Sequence, residues 1–224
     1  MIVKIKRQHA PDSAPYWQCF SYSGPLHVTI SAVLDAINYT DDLFDTEGNP
    51  AKRVRWECSC LQAVCGGCAM IINGIPALAC NTFVDEVTKT DLVLEPLSKF
   101  PVVADLMVDR SIIYKNLNSA KAYIEGCSIS SKQNHEHQYS VAKCLKCGLC
   151  LEVCPNYNVG GTFFGAVFAN ESYLITSQSA EKPVQIVKEY KTHFGAGCSK
   201  ALSCQSICPV GIETITSILK MNRK

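Results

Sequence analysis

The amino-acid sequence predicts an α+β protein with a strand-rich first part and a helical second part. Two observations lead to this prediction. Short apolar runs bounded by turn residues fill the first part, whereas helical spacing of apolar residues prevails after it. All but three of the 14 Cys residues form three groups, one in the first part and two in the second. A proline-flanked linker over residues 96–101 separates the parts, which predicts one domain over residues 1–97 and another over residues 98–224.

Composition narrows the class of protein. The chain has 224 residues, with Lys and Arg numbering 21 and Asp and Glu 20, a net charge of +1. That balance excludes a nucleic-acid protein held by a broad basic surface. The longest near-apolar stretch, residues 159–169, is too short for the roughly 20 residues of a membrane span. Without a signal-peptide pattern, a reducing compartment is expected, in which clustered Cys residues bind metal more often than they form disulfides.

The first part is expected to be a small sheet with one helix. Strands are predicted at Ile2–Arg7 and residues 16–22. Apolar residues at near-helical spacing predict a helix over residues 28–37, with Thr29 or Ser31 as its N-cap.

A loop, a hairpin and a closing strand complete the first part. Residues 41–52 are polar and rich in turn formers, which predicts a loop. Residues 54–56 lead into the first Cys group, and Ala69–Ile72 leaves it as a strand. The pair Asn73-Gly74 then marks a hairpin. Residues 92–94 read as the closing strand.

The second part is expected to be all helical. Helices are predicted over residues 103–117 and 119–125, and short helices carry the Cys runs. Small and aromatic residues predict a buried helix over residues 160–169. The apolar segment 212–219 is a further helix candidate, which packs either into the core or against a partner.

The first Cys group has the spacing of a plant-type ferredoxin loop. Cys60, Cys65 and Cys68 are separated by four and two residues, and Cys80 follows from a separate segment. Gly66-Gly67 lets the backbone approach a cluster closely. The spacing predicts a 2Fe–2S cluster on Cys60, Cys65, Cys68 and Cys80, with a zinc site or disulfides as the alternative.

The second group is the bacterial ferredoxin run C-x2-C-x2-C-x3-C-P. It comprises Cys144, Cys147, Cys150 and Cys154-Pro155. In this pattern the first three Cys hold one cluster, and the fourth serves the other. Cys208, which also precedes a proline, is the expected exchange partner. A 4Fe–4S cluster is therefore predicted on Cys144, Cys147, Cys150 and Cys208.

The third group lacks one thiol. A full run would place a Cys three residues after Cys198, where the chain has Ala201. The three remaining thiolates, Cys154, Cys198 and Cys204, predict a 3Fe–4S cluster. A 4Fe–4S cluster with a fourth ligand other than Cys is the alternative. Three Cys remain outside the clusters and are interpreted as buried small apolar residues, namely Cys19, Cys58 and Cys127.

Three clusters in the order 2Fe–2S, 4Fe–4S, 3Fe–4S resemble the iron–sulfur subunit of the succinate dehydrogenase and fumarate reductase family. The resemblance spans nearly the whole chain. It rests on both Cys-Pro runs and on the segments Cys60 to Cys68, Ala69 to Gly74, Leu78-Ala79-Cys80, Leu94 to Leu97, Phe100 to Val103 and Asp105 to Asp109. The resemblance implies a β-grasp 2Fe–2S ferredoxin domain followed by an all-α domain like bacterial ferredoxin.

The resemblance also implies a function and partners. The chain would pass single electrons between a flavoprotein subunit, which carries FAD and the dicarboxylate site, and a quinone in a membrane anchor subunit. It would lie peripherally on the cytoplasmic face of the membrane, with no catalytic residues of its own and no nucleic-acid partner. The segment Cys154 to Asn158 lacks the Trp residues that many succinate dehydrogenases carry there. This weakens a ubiquinone assignment and leaves open a menaquinone-type, fumarate-reductase-like partner or a partner other than quinone. The alternative function is a relay to a soluble flavoprotein that reduces another enoate, without quinone.

Several residues near the cluster ligands are candidates for a functional role. Pro155, Tyr157 and Lys200 follow cluster ligands and are expected on the quinone-side surface. The lysines beside the ligands, Lys143, Lys146 and Lys200, either raise cluster potentials or are ordinary surface charges. The run His135-Glu136-His137 is interpreted as a solvated loop and less readily as a metal or proton site.

Overall fold

The computed structural model describes residues 1–88, 90–124, 128, 135–179 and 184–223. The chain forms two compact units, Met1–Asp109 and Arg110–Lys224. Each unit has a core of its own, and each is described separately below.

The first unit is built on a mixed five-stranded sheet. Its strand order is β2-β1-β5-β3-β4, in which β1 and β5 are parallel and the other neighbours are antiparallel. The strands are β1 (Ile2–Arg7), β2 (Tyr16–Ser21), β3 (Ala69–Ile72), β4 (Ile75–Leu78) and β5 (Leu92–Glu95). Together with the helix that follows β2, this sheet confirms the predicted β-grasp domain.

The helices of the first unit follow from their local sequence. Helix α1 (Ile30–Asn38) begins after Thr29, whose side chain accepts a hydrogen bond from the Ala32 N–H, so Thr29 is the N-cap. Its apolar face is buried at Ile30, Val33, Leu34 and Ile37. Asn73 and Gly74 have φ values of 47° and 80°, as a two-residue hairpin between β3 and β4 requires. A 3-10 turn at Ala79–Asn81 and α2 (Val84–Val87) follow.

The predicted helix over residues 103–117 is wrong before Ser111. The chain there forms a hairpin of β6 (Val102–Ala104) and β7 (Met107–Val108). Asp105 at the turn has φ 47°, and its carboxylate binds the fully buried Arg7 guanidinium at 2.9 and 3.0 Å. That carboxylate also accepts hydrogen bonds from the N–H groups of Gln8 and Arg55. These contacts fix the hairpin to the first unit.

The first unit therefore ends at Asp109, whereas the sequence predicted a boundary after Leu97. The predicted linker includes core residues of the first unit, since Leu97 and Phe100 are 0% and 3% exposed. A segment with two such buried apolar side chains folds with the domain it packs into.

The second unit is helical in the residues described. Its helices are α3 (Ser111–Ser119), α4 (His135–Ala142), α5 (Leu149–Glu152), α6 (Gly165–Gln178), α7 (Val184–Tyr190), α8 (Ser203–Ser206) and α9 (Thr214–Asn222). A π-helical turn at Lys191–Gly195 follows α7. Helix α6 is buried over most of its length and packs against α9 and α7. None of the helices in the described part of the chain has the length and apolarity of a membrane-crossing segment.

Three further expectations about the second unit are corrected. Residues 120–124 are not helical, and Glu125 lies outside the described residues. The buried helix predicted from residue 160 begins at Gly165, whose φ of +75° interrupts helical geometry. His135 to His137 belong to α4 and not to a loop. His137 is half-buried, where Nε2 lies 2.9 Å from Ser217 Oγ and the ring packs on Tyr173.

Candidate metal centres

The first Cys group lies on a loop whose backbone N–H groups point at sulfur. The Gln62 and Val64 N–H groups donate to Cys60 Sγ at 3.3 and 3.4 Å. The Ala63 N–H donates to Cys80 Sγ at 3.3 Å. Leu61 and Ala63 have φ values of 53° and 56°, which turn successive N–H groups inward. A loop of this kind stabilises negative charge on sulfur, as iron-bound thiolates require.

The two ends of this group differ in environment. The N–H groups of Gln62 and Val64 lower the pKa of the Cys60 thiol to about 7. Burial raises the pKa of Cys68 to about 12, and its Sγ lies 3.3 Å from that of Cys80. Cys58 is exposed as a whole residue. The pKa of its thiol is nevertheless raised, and the largest cause is partial loss of solvent around the sulfur. The four predicted ligands are thus together, and the donor set fits a 2Fe–2S cluster.

In the second unit, one cavity is lined by all four thiols predicted for the 4Fe–4S cluster, Cys144, Cys147, Cys150 and Cys208. Burial raises the pKa of Cys147 to about 11 and that of Cys150 well above its usual value. The Ile212 N–H donates to Cys208 Sγ at 3.4 Å. A buried cavity with four thiols and apolar walls fits a 4Fe–4S cluster.

The remaining three thiols also converge. Burial, together with the neighbouring thiols of Cys154 and Cys198, raises the pKa of Cys204 to about 11. Cys204 also reaches the cavity of the previous group, so the two thiol sets are adjacent. Every Cys that the structure describes is a free thiol.

Among the described residues, no three His, Cys, Asp or Glu side chains are spaced to hold one metal ion. Thiolates that bind different irons of a cluster lie farther apart than the ligands of a single ion. The Cys groups can therefore hold clusters although their side chains are not spaced to hold one ion.

The two Cys-Pro runs have the same backbone. Gly148 and Leu202 both have left-handed φ, 87° and 58°, and each precedes one short helix, α5 or α8. Each helix carries one Cys, and the Cys before each proline donates its N–H to a carbonyl three residues back at 3.2 Å. The second run is therefore a structural repeat of the first.

This repeat identifies the counterpart of Ala201. Lys146 and Lys200 precede the equivalent positions with φ values of 52° and 59°. Ala201 therefore stands where the first run has Cys147. The position at which the spacing predicts a missing thiolate therefore lies in a loop with the same backbone as the first run.

The residues expected on the quinone side separate into two classes. Pro155 and Lys200 are exposed. Tyr157 is only 1% exposed, so its placement on the surface of this chain is wrong. Burial and the nearby Cys150 raise the Tyr157 pKa to about 12. Its ring packs inside the second unit because the chain turns inward after Pro155 and Asn156.

Other sequence expectations have mixed outcomes. Of the three Cys outside the clusters, Cys19 is half-buried, Cys58 is exposed against expectation, and Cys127 lies outside the described residues. The C-terminal apolar residues mostly pack inward, with Ile212 and Ile218 at 2% and 3% exposure, whereas Leu219 is 53% exposed.

Sequence reasoning missed two polar residues of α6 close to the predicted 4Fe–4S thiols. Asn170, 4% exposed, lines the cavity and donates from Nδ2 to Thr214 Oγ1 at 3.1 Å. Glu171 forms an ion pair with Lys146. The signal that could have found them is a polar pair inside the otherwise apolar run of α6.

Two family models match the chain. The model described as "2Fe-2S iron-sulfur cluster binding domain" matches residues 2–115, and the one described as "4Fe-4S dicluster domain" matches residues 140–212. The chain is thus an iron–sulfur protein with a 2Fe–2S domain and a dicluster domain.

Among curated proteins, the succinate dehydrogenase iron–sulfur subunit of Bacillus subtilis is 31% identical over 98% of this chain and 90% of its own length. The fumarate reductase iron–sulfur subunit of Escherichia coli is 30% identical over 92% and 85%. Among solved structures, the Mycobacterium smegmatis Sdh1 complex in the apo form contains a chain with TM-score 0.77 and 19% identity, covering 100% of this chain and 96% of that one. That likeness shows the fold.

The chain belongs to the family of iron–sulfur subunits of succinate dehydrogenase and fumarate reductase. It is an electron-transfer subunit whose cofactors are a 2Fe–2S, a 4Fe–4S and a 3Fe–4S cluster.

Proposed function

We propose that this chain passes single electrons between an FAD-bearing flavoprotein subunit with a dicarboxylate site and a quinone in the membrane. The reaction is succinate oxidation by quinone or fumarate reduction by quinol. The observation that carries the proposal is the pair of repeated Cys-Pro loops, one with four thiols and one with three. When bound, iron–sulfur clusters supply one-electron transfer.

Within this proposal each of the three ligand sets holds one cluster. Cys60, Cys65, Cys68 and Cys80 hold the 2Fe–2S cluster. Cys144, Cys147, Cys150 and Cys208 hold the 4Fe–4S cluster, and Cys154, Cys198 and Cys204 hold the 3Fe–4S cluster. The N–H groups around Cys60 stabilise thiolate charge, and burial around Cys147 and Cys150 excludes water from the second centre.

The flavoprotein is proposed to dock on the first Cys loop. Leu61 and Val64 lie between the ligands of this loop and are 46% and 64% exposed. Exposed apolar side chains directly beside a cluster ligand favour a protein contact there. Docking at this loop would bring the flavin close to the 2Fe–2S centre.

The membrane anchor and its quinone are proposed to dock on the loops around Cys154 and Cys198. Residues 155–162 and 199–202 include one charged residue, Lys200, and both Pro155 and Lys200 are exposed. A nearly uncharged surface favours the quinone-linked reading over a relay to a soluble partner. The chain would then lie peripherally on the cytoplasmic face of the membrane.

Purification of the native complex tests the partners. We expect an FAD-containing chain and at least one membrane-spanning chain to copurify, and succinate or fumarate turnover to be coupled to quinone. Electron paramagnetic resonance of the same sample should show three distinct cluster signals. Copurification with a flavoprotein alone, without quinone-linked turnover, would establish the soluble relay in its place.

A charge reversal tests the proposed quinone side. Lys200→Glu should lower the quinone-linked rate about tenfold while transfer from the flavoprotein to an artificial one-electron acceptor is kept. Lys143→Glu is the matched control, because Lys143 is also exposed and directly precedes a cluster ligand. Equal effects of both variants would place the quinone elsewhere.

A further inference from the structure

Lys146 differs from the other lysines that flank cluster ligands. It lies between Cys144 and Cys147, and its left-handed φ of 52° directs the chain around the thiols. Its side chain is 19% exposed. Lys143 and Lys200 are exposed, and the Lys143 ammonium lies 4.3 Å from the centre of the Tyr139 ring. Solvent therefore screens those two charges far more than that of Lys146.

The Lys146 ammonium is paired with a carboxylate from another element. Glu171 Oε1, on the buried helix α6, accepts a hydrogen bond from Lys146 Nζ. The Glu171 side chain is 11% exposed. A carboxylate in a buried helix is costly unless it is paired, and the carboxylate of this pair is held by α6, outside the Cys loop.

Both charges act on the same thiol. Lys146 and Glu171 are each within electrostatic range of Cys144, and they act on it with opposite sign. The Arg110 guanidinium also approaches this loop, where its Nη1 donates to the Cys147 carbonyl at 3.2 Å. The local charge at these thiolates therefore depends on whether Glu171 offsets Lys146.

We propose that Glu171 is a positioning residue that holds and offsets the Lys146 charge beside the 4Fe–4S centre and thereby sets its reduction potential. The proposal rests on the assignment of Cys144, Cys147, Cys150 and Cys208 to that cluster. It separates Lys146 from Lys143 and Lys200, which the sequence could not do.

The sign of the effect follows from Coulomb's law. One-electron reduction adds one negative charge to the space that these thiolates enclose, and a nearby positive charge favours that step. Glu171→Gln leaves Lys146 charged without its counter-charge, so the potential rises. Lys146→Met removes the positive charge, so the potential falls. Because the site is buried, these changes are screened less than at the surface.

The experiment is a redox titration of the full chain in its native complex. The electron paramagnetic resonance signal of the reduced 4Fe–4S cluster is recorded at each potential. For Glu171→Gln we expect the equilibrium constant of reduction to rise about tenfold, which is about 59 mV for one electron. Lys146→Met should shift the potential in the opposite direction. The control Lys143→Met should leave it unchanged, and Glu171→Asp should restore most of the original value.

The outcomes separate the two proposals. Unchanged potentials in Glu171→Gln and Lys146→Met, or shifts of the same sign, overturn the role of the pair. If Glu171→Gln does not assemble the cluster, Lys146→Met decides, since a fall supports the role and an unchanged value overturns it. A complex of the unaltered chain without any 4Fe–4S signal would instead overturn the cluster assignment, and with it both proposals.

Discussion

The two Cys-Pro loops of the second unit share a backbone but differ in ligands and burial. Cys147, Gly148 and Leu149 are buried in the first loop, whereas Ala201 and Leu202 are exposed in the second. Leu202 keeps the left-handed φ that Gly148 has, although it carries a side chain. The loop geometry therefore needs neither the fourth thiol nor the glycine, and α6 packs against α5 of the first run.

The difference shows how the same loop backbone can support two kinds of iron–sulfur centre. The centre at the buried loop has four predicted thiolates, three from that loop and Cys208 from the other run, and it is shielded from water, which suits an internal relay. The centre at the exposed loop has three predicted thiolates, two from that loop and Cys154 from the first run, which suits exchange with a partner. Five predictions test this comparison.

The largest effect is expected for Cys147→Ala, which removes a thiolate from the buried loop. The four-iron signal should disappear, because the remaining side chains offer no replacement ligand at that point. Electron paramagnetic resonance of the dithionite-reduced complex measures this, and the 2Fe–2S signal in the same spectrum is the control. A retained four-iron signal would show that Cys147 is not a ligand.

Cys65→Ser extends the comparison to the loop of the first Cys group, in the first unit. It should remove or strongly perturb the 2Fe–2S signal, whereas Cys58→Ser should leave that signal unchanged because Cys58 lies outside the ligand set. The two substitutions are chemically identical and seven residues apart in the same segment. The opposite pattern in absorbance and resonance spectra would mean that the ligand register is shifted.

Ala201→Cys adds the thiol that the exposed loop lacks. Because Ala201 has the backbone position of Cys147, the three-iron centre should convert toward 4Fe–4S. The signal of the oxidised three-iron centre should fall in the folded variant, with Ala201→Ser as the control of similar size. An unaltered three-iron signal in Ala201→Cys would refute the repeat as a guide to ligands.

Gly197→Ala tests packing directly before the exposed loop. A Cβ at this position would lie 2.4 Å from Phe163 Cδ2, so the ring must move. We expect a loss of about 1–3 kcal/mol in the free energy of unfolding. Anaerobic thermal unfolding measures it. Lys143→Ala, before the buried loop, should change stability by under about 0.5 kcal/mol, as exposed substitutions do.

The smallest effect concerns the left-handed residues. Gly148→Ala should cost about 1–2 kcal/mol, the penalty of a side chain at such φ. Leu202→Gly removes that penalty but adds glycine entropy, so its net effect should stay within about 1 kcal/mol. Chemical unfolding of both variants gives the comparison. A larger loss in Leu202→Gly than in Gly148→Ala would show that Leu202 packs more tightly than its exposure indicates.

Local signals predicted the elements that depend on neighbouring residues. Strand β1, the Thr29 cap and the Asn73-Gly74 hairpin all appear where the sequence placed them. The helix over residues 103–117 was wrong in its first half because apolar spacing cannot reveal a distant partner. Arg7 and Asp105 meet across the first unit, and that buried ion pair holds a hairpin where the local pattern favours a helix.

The sequence by itself determined the cluster chemistry, because the type of cluster depends on the number and spacing of thiols, and both are written in the chain. It also predicts that the missing ligand corresponds to Ala201. Tertiary structure alone decided which charges matter and which side chains reach the surface. Lys143, Lys146 and Lys200 look alike in sequence, yet only Lys146 is covered and paired with Glu171. Tyr157 likewise follows a cluster ligand but is buried, because exposure depends on the helices that pack over a residue and not on its neighbours in the chain.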